Sequence, residues 1–145
     1  MTQRLVPIST TYPEIRKIAD PIVRERVNMR IRETALKTIT TWVEPLNTLD
    51  AQSKYLVTVF RNNILSIRFE AFFFPEMAAN PATVVKALTI NTVTGKVYQL
   101  MDLFKKDDWQ EFLSEEIRRQ IIARDIPMLD GYPEITGTEE FYLTR

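Results

Sequence analysis

The feature that most constrains this chain is a change of period near residue 53. Between residues 21 and 41 the apolar side chains recur at steps of about four, and from residue 54 they recur at steps of two. The first pattern sits still only on a helix and the second only on a strand, so one chain must supply both a helix face and a sheet face. The helical stretch is "DPIVRERVNMRIRETALKTITTW". Asp20 reads as its N-cap and Pro21 as its first residue, where the missing N–H costs nothing. Val23, Val27, Ile31, Ala35 and Ile39 make one stripe flanked by Ile22, Met29 and Leu36. Arg24, Arg26, Arg30, Arg32 and Lys37 fall mostly outside it and read as a solvated face.

"KYLVTVFRNNILSIRFEAFFF" divides into two strands, 54–61 and 64–74, joined by Asn62-Asn63, a pair that tolerates the positive φ of a tight hairpin. In the second, Leu65, Ile67, Phe69, Ala71 and Phe73 share one face and Ser66, Arg68, Glu70 and Phe72 the other. A third strand is expected at 83–92. Gly95 then supplies a positive φ in "TVTGK", and "KVYQL" returns as a fourth strand, with Leu100, Leu103 and Phe104 entering the core. A second helix is expected over 108–124, with Asp107 or Asp108 as N-cap in a capping box with Gln110 or Glu111. Its stripe is Trp109, Phe112, Leu113, Ile117 and Ile121, with Glu115, Glu116, Arg118 and Arg119 off it. A short strand near 4–9 and a fifth at "EEFYLTR" complete the set. That last strand is either the edge of the sheet or the start of strands still to come, and it offers a route to oligomers by pairing with another chain. The expected fold is therefore α+β: an antiparallel sheet of about four to five strands packed by two main helices on one side, in a single domain spanning 1–145.

Composition removes much chemistry. There is no His and no Cys, which excludes Ser/His/Asp triads, thiol nucleophiles, disulfides and the usual zinc sites. The three glycines, Gly95, Gly131 and Gly137, cannot form a nucleotide-binding loop. Lys and Arg number 19 and Asp and Glu number 19, so no net field gathers nucleic acid or anionic lipid. No stretch has the length and hydropathy of a membrane span or a leader. No catalytic residue, metal ligand or cofactor is assigned.

Several phrases in order, "YPEI" at 12–15, "VNMRI" at 27–31, "NNILSIRFE" at 62–70, "TINTVTGKVYQLMDLF" at 89–104 and "FYLT" at 141–144, resemble one family. It is the bacterial extracytoplasmic domain of RsiV-type anti-sigma factors, found also at the N-terminus of some peptidoglycan deacetylases. The resemblance implies an extracytoplasmic, non-catalytic binding or sensing domain of the cell envelope whose ligand is a lysozyme-like protein or cell-wall glycan. This chain departs from the pattern in carrying Ala79-Asn80 where the family often has Ala-His. It also has Thr92 and Val93 after Asn91, where the family has an acidic residue. Loops 75–83 and 125–138 are the candidate binding loops, with Phe74, Glu76, Met77, Asn80 and Tyr132 as the candidate ligand-binding residues. A carboxylate-based enzyme acting on glycans is the alternative, as is a structural module completed by strand pairing.

Overall fold

The computed structural model describes residues 7–41, 43 and 48–145. The expected strand at 4–9, and the loop that Pro45, Asn47, Asp50 and Ser53 mark in the sequence over 43–53, therefore lie partly outside the described residues.

Asp20 caps helix α1, Pro21–Thr40, by accepting the backbone N–H groups of Ile22 and Val23 at 2.8 and 3.2 Å through Oδ1. The four-step stripe buries Val27, Ile31, Ala35 and Ile39, while its flanking Ile22 and Met29 stay exposed. Among the described residues four strands form one sheet in the order β1 (Ile8–Ser9), β2 (Thr48–Arg61), β3 (Ile64–Pro75) and β4 (Ala82–Asn91). β2, β3 and β4 pair antiparallel and β1 pairs parallel to β2, so the sheet is mixed and the fold is α+β. Asn62 and Asn63 both take positive φ, 50° and 62°, as a two-residue hairpin turn between β2 and β3 requires.

The odd-numbered face of β3 builds the core. Leu65, Ile67 and Phe69 pack with Val27, Ile31 and Ala35 of α1 and with Leu88 and Ile90 of β4. Ala71 and Phe73 continue it with Ile39 and Ala51. Burying side chains of this size contributes on the order of 1.5–3 kcal/mol each. β2 begins at Thr48, earlier than the alternation alone marks, because Thr48 and Ala51 are both buried against the sheet despite the turn-forming Asp50 and Ser53 nearby.

Two expected strands do not form. After the turn at Gly95 (φ 75°), "KVYQL" contributes only an isolated bridge between Val97 and Ile90. The chain then enters a 3-10 helix, Leu100–Leu103, because the Asp102 carboxylate accepts the Gln99 N–H at 2.8 Å and closes a turn instead of a ladder. Leu100 is buried, but Leu103 is exposed, against the expectation that it enters the core. "EEFYLTR" is not a strand either. The Leu143 N–H donates to the Ser66 side-chain oxygen at 2.9 Å rather than to a neighbouring backbone. Ser66 and Thr89, opposite each other in the β3–β4 register, are buried on this even-numbered face with their hydroxyls 3.0 Å apart. The phrases "ILSI" and "FYL" thus meet through one hydroxyl.

Helix α2, Trp109–Ala123, has Asp108 at its N-cap, but that side chain makes no cap hydrogen bond and the expected capping box does not form. The apolar stripe is half-buried at Trp109, Leu113, Ile117 and Ile121, and Phe112 is exposed. The C-terminus ends in a Schellman arrangement, with Asp125 at φ 51° and N–H groups of Asp125 and Ile126 bonded to the carbonyls of Ile122 and Ile121. The chain gathers into two compact units. One comprises Met1–Val97 with Phe141–Arg145, and the other comprises Tyr98–Glu140.

Candidate functional site

The second unit contains a groove of about 420 Å³ between α2 and the segment that follows it. One wall is the helix row Gln110, Ser114 and Arg118, with Glu111 and Glu115 on the adjoining row. The other wall is residues 132–135. Steps of four place each row on one helix face.

Hydrogen bonds hold the two walls together. The Gln110 side-chain amide donates to the Thr136 carbonyl at 2.8 Å. Ser114 accepts the Ile135 N–H at 2.9 Å while its hydroxyl donates to the Gln110 carbonyl at 2.7 Å. The Arg118 guanidinium lies 4.9 Å from the Tyr132 ring centroid, which ties the ring to the helix by cation–π attraction. Gly137, at φ 103°, lets the backbone approach the Trp109 ring, which an added Cβ would meet at 3.4 Å. Trp109 in turn stacks on Phe104 at 5.4 Å.

Glu139 locks the same segment. Its carboxylate accepts the Thr136 N–H at 2.6 Å, the Thr136 hydroxyl at 2.8 Å and the Gly137 N–H at 2.8 Å. These donors, the Thr136 amide foremost, hold the Glu139 carboxyl at about 2, below the usual carboxylate range. On α2, Glu116 is likewise lowered to about 2, chiefly by its hydrogen bonds from Arg119 and then from Gln120. The groove therefore has a fixed backbone frame and carries three exposed carboxylates, Glu111, Glu115 and Glu134, beside one cation and one aromatic ring. Among the described residues no group of three or more His, Cys, Asp or Glu side chains is arranged to hold a metal ion.

Of the candidate residues read from sequence, only Tyr132 lines this groove. Phe74, Glu76, Met77 and Asn80 lie in the first unit, at the end of β3 and in the loop that joins it to β4. All four are exposed, and Met77 projects fully into solvent from a backbone at φ 62°. The candidates thus divide between the two units. Arg118 and Glu115 are not candidates in the sequence, because charges off an apolar stripe read as a solvated face, while Glu111 reads there as a capping-box partner and Glu134 as one charge in the 125–138 loop. The available signal was the second, polar row at four-residue spacing, Gln110–Ser114–Arg118.

No helix among the described residues is long and apolar enough to cross a membrane. No family model matches the sequence, and no curated protein matches it. Solved structures do. A DUF3298 family protein from Pseudomonas aeruginosa PAO1 is similar at a TM-score of 0.53 and 11% identity, over 73% of this chain and 55% of that one. A member of the same family from Bacteroides fragilis NCTC 9343 is similar at a TM-score of 0.46 and 15% identity, over 77% of this chain and 47% of that one. The chain spans about half the length of these structures. At such identity the likeness, carried by the first of them, is one of fold: the structural neighbours of this chain are DUF3298 family proteins.

Proposed function

We propose that this chain is a non-catalytic, extracytoplasmic binding or sensing domain of the bacterial cell envelope, of the RsiV-type kind, whose ligand is a lysozyme-like protein or cell-wall glycan. The observation that carries the reading is the groove between α2 and residues 132–135. Its frame is pinned by hydrogen bonds before any ligand arrives, which lowers the ordering cost of recognition. Its lining pairs an exposed aromatic ring with carboxylates, a combination suited to sugar hydroxyls or to the Lys and Arg side chains of a basic protein. The order of phrases in the sequence and the fold likeness to a DUF3298 family protein support the domain type.

Retention on immobilised lysozyme and on purified cell wall is the test. Binding to one of them, weakened at least several-fold by Tyr132→Ala, is expected. Failure of both ligands to retain the protein removes both. A second reading, a carboxylate enzyme acting on glycans, draws on the three carboxylates that share the groove. Glu111, Glu115 and Glu134 are all exposed, so water reaches the whole carboxylate row, which favours binding over turnover. Release of reducing ends from cell wall, abolished by Glu115→Gln or Glu134→Gln, would establish the enzyme instead.

A further inference from the structure

The sheet of the first unit has an open edge. β1 pairs with β2 only at Ala51 and Gln52, and Thr10 reaches Ser53 through its hydroxyl at 2.7 Å. Beyond that point residues 54–61 of β2 pair with β3 on one side, and among the described residues no backbone group is bonded to them on the other. In a strand the N–H and C=O groups alternate between its two edges, so a row of unsatisfied donors and acceptors faces outward here. The row is apolar, with Tyr55, Leu56, Val57 and Phe60 all exposed.

A side-chain pocket adjoins this edge. Lys54, Tyr55, Leu56, Arg68 and Glu70 line a hollow of about 260 Å³ on the sheet. Its charges do not cancel: Lys54 and Arg68 share the single carboxylate of Glu70, each at 3.4 Å. At the far end of the open stretch Arg61 makes no ion pair among the described residues, and residues 53–61 contain no acid. An edge that supplies backbone bonds beside a pocket that selects a side chain is the arrangement used to bind extended peptides by strand addition.

We propose that residues 54–61 of β2 bind an extended, acidic segment of a partner protein as an added strand, with an Asp or Glu side chain of the segment seated by Arg68 and Lys54. The net positive charge selects that occupant over a second copy of this chain. Two such edges carry Lys54 and Arg61 without acids, and pairing them would bring like charges together. The register is regular from Lys54 to Val57 and shifts between Val57 and Val59, so the segment is expected to align on the first four residues and loosen past the bulge.

The test uses the full chain and two synthetic peptides of alternating Val and Thr, one bearing Glu at two positions and one bearing Lys there. Amide exchange and chemical shifts report the site. The Glu peptide is expected to slow exchange at residues 54–57 and to bind about tenfold more tightly than the Lys peptide. The double variant Arg61→Glu, Arg68→Glu should invert that preference, with its circular dichroism spectrum checking the fold. If the variant does not fold, Arg61→Glu alone should still narrow the ratio. Equal affinity for both peptides, shifts located elsewhere, or concentration-dependent dimerisation through this edge would each overturn the proposal.

Discussion

Asn28 does the work of a strand with one side chain. Its Oδ1 accepts the Ile15 N–H at 2.8 Å and its Nδ2 donates to the Ile15 carbonyl at 2.9 Å, so "YPEI" is fastened to α1 by both of its backbone groups. Ile15 and Ile18 then pack on the main core cluster. Asn28→Ala leaves both backbone groups without their partner and should cost about 1–3 kcal/mol, read as a lower urea midpoint with an unchanged slope. Glu139 sets a pH response. Because its folded pKa is lowered to about 2 from 4.5, the stabilisation it brings is fully present above about 4.5 and is lost as the pH falls toward 2. The Thr136 and Gly137 amide resonances should therefore titrate with a midpoint well below 4.5, and Glu139→Gln should remove that titration.

At the scale of elements, the β2–β3 hairpin places two asparagines in the left-handed region, at φ 50° and 62°. Glycine at the second position fits such a turn better, and the Asn63 carbonyl that accepts the Thr92 N–H at 2.9 Å would be kept. Asn63→Gly should stabilise the protein by about 0.3–1 kcal/mol, visible as a rise in Tm of a few degrees. The elements legible in the sequence are those whose period survives folding. The stripe 27, 31, 35, 39 is buried as spaced, and the alternation from 65 to 73 sorts residues onto the faces expected of it. The elements misread have a local pattern that a side chain overrules. Residues 96–100 alternate like a strand, but Asp102 takes the Gln99 amide. Residues 141–143 are apolar like a strand, but their partner is the hydroxyl of Ser66, 77 residues away. No window of alternation encodes either bond. The same holds for the groove: Tyr132 is visible as a loop aromatic, whereas its pairing with Arg118 depends on how residues 132–136 fold back on α2.

For the whole molecule, the order of the two units along the chain matters. The chain leaves the first unit at Val97, builds the second from Tyr98–Glu140, and returns to the first with Phe141–Arg145. The returning segment is held there by the Leu143 bond to Ser66 and by Arg68 lying 5.8 Å from the Tyr142 ring. Leu129, in the connection after α2, is almost fully exposed. A protease that cuts beside it severs the chain without freeing the C-terminal piece, which stays attached through residues 141–145 and the contacts within the second unit. The cut protein should elute intact from a native sizing column and separate into two bands only under denaturing conditions. Ser66→Ala should then let the smaller piece dissociate more readily, so a buried hydroxyl behaves as the latch that lets a nicked chain remain one particle.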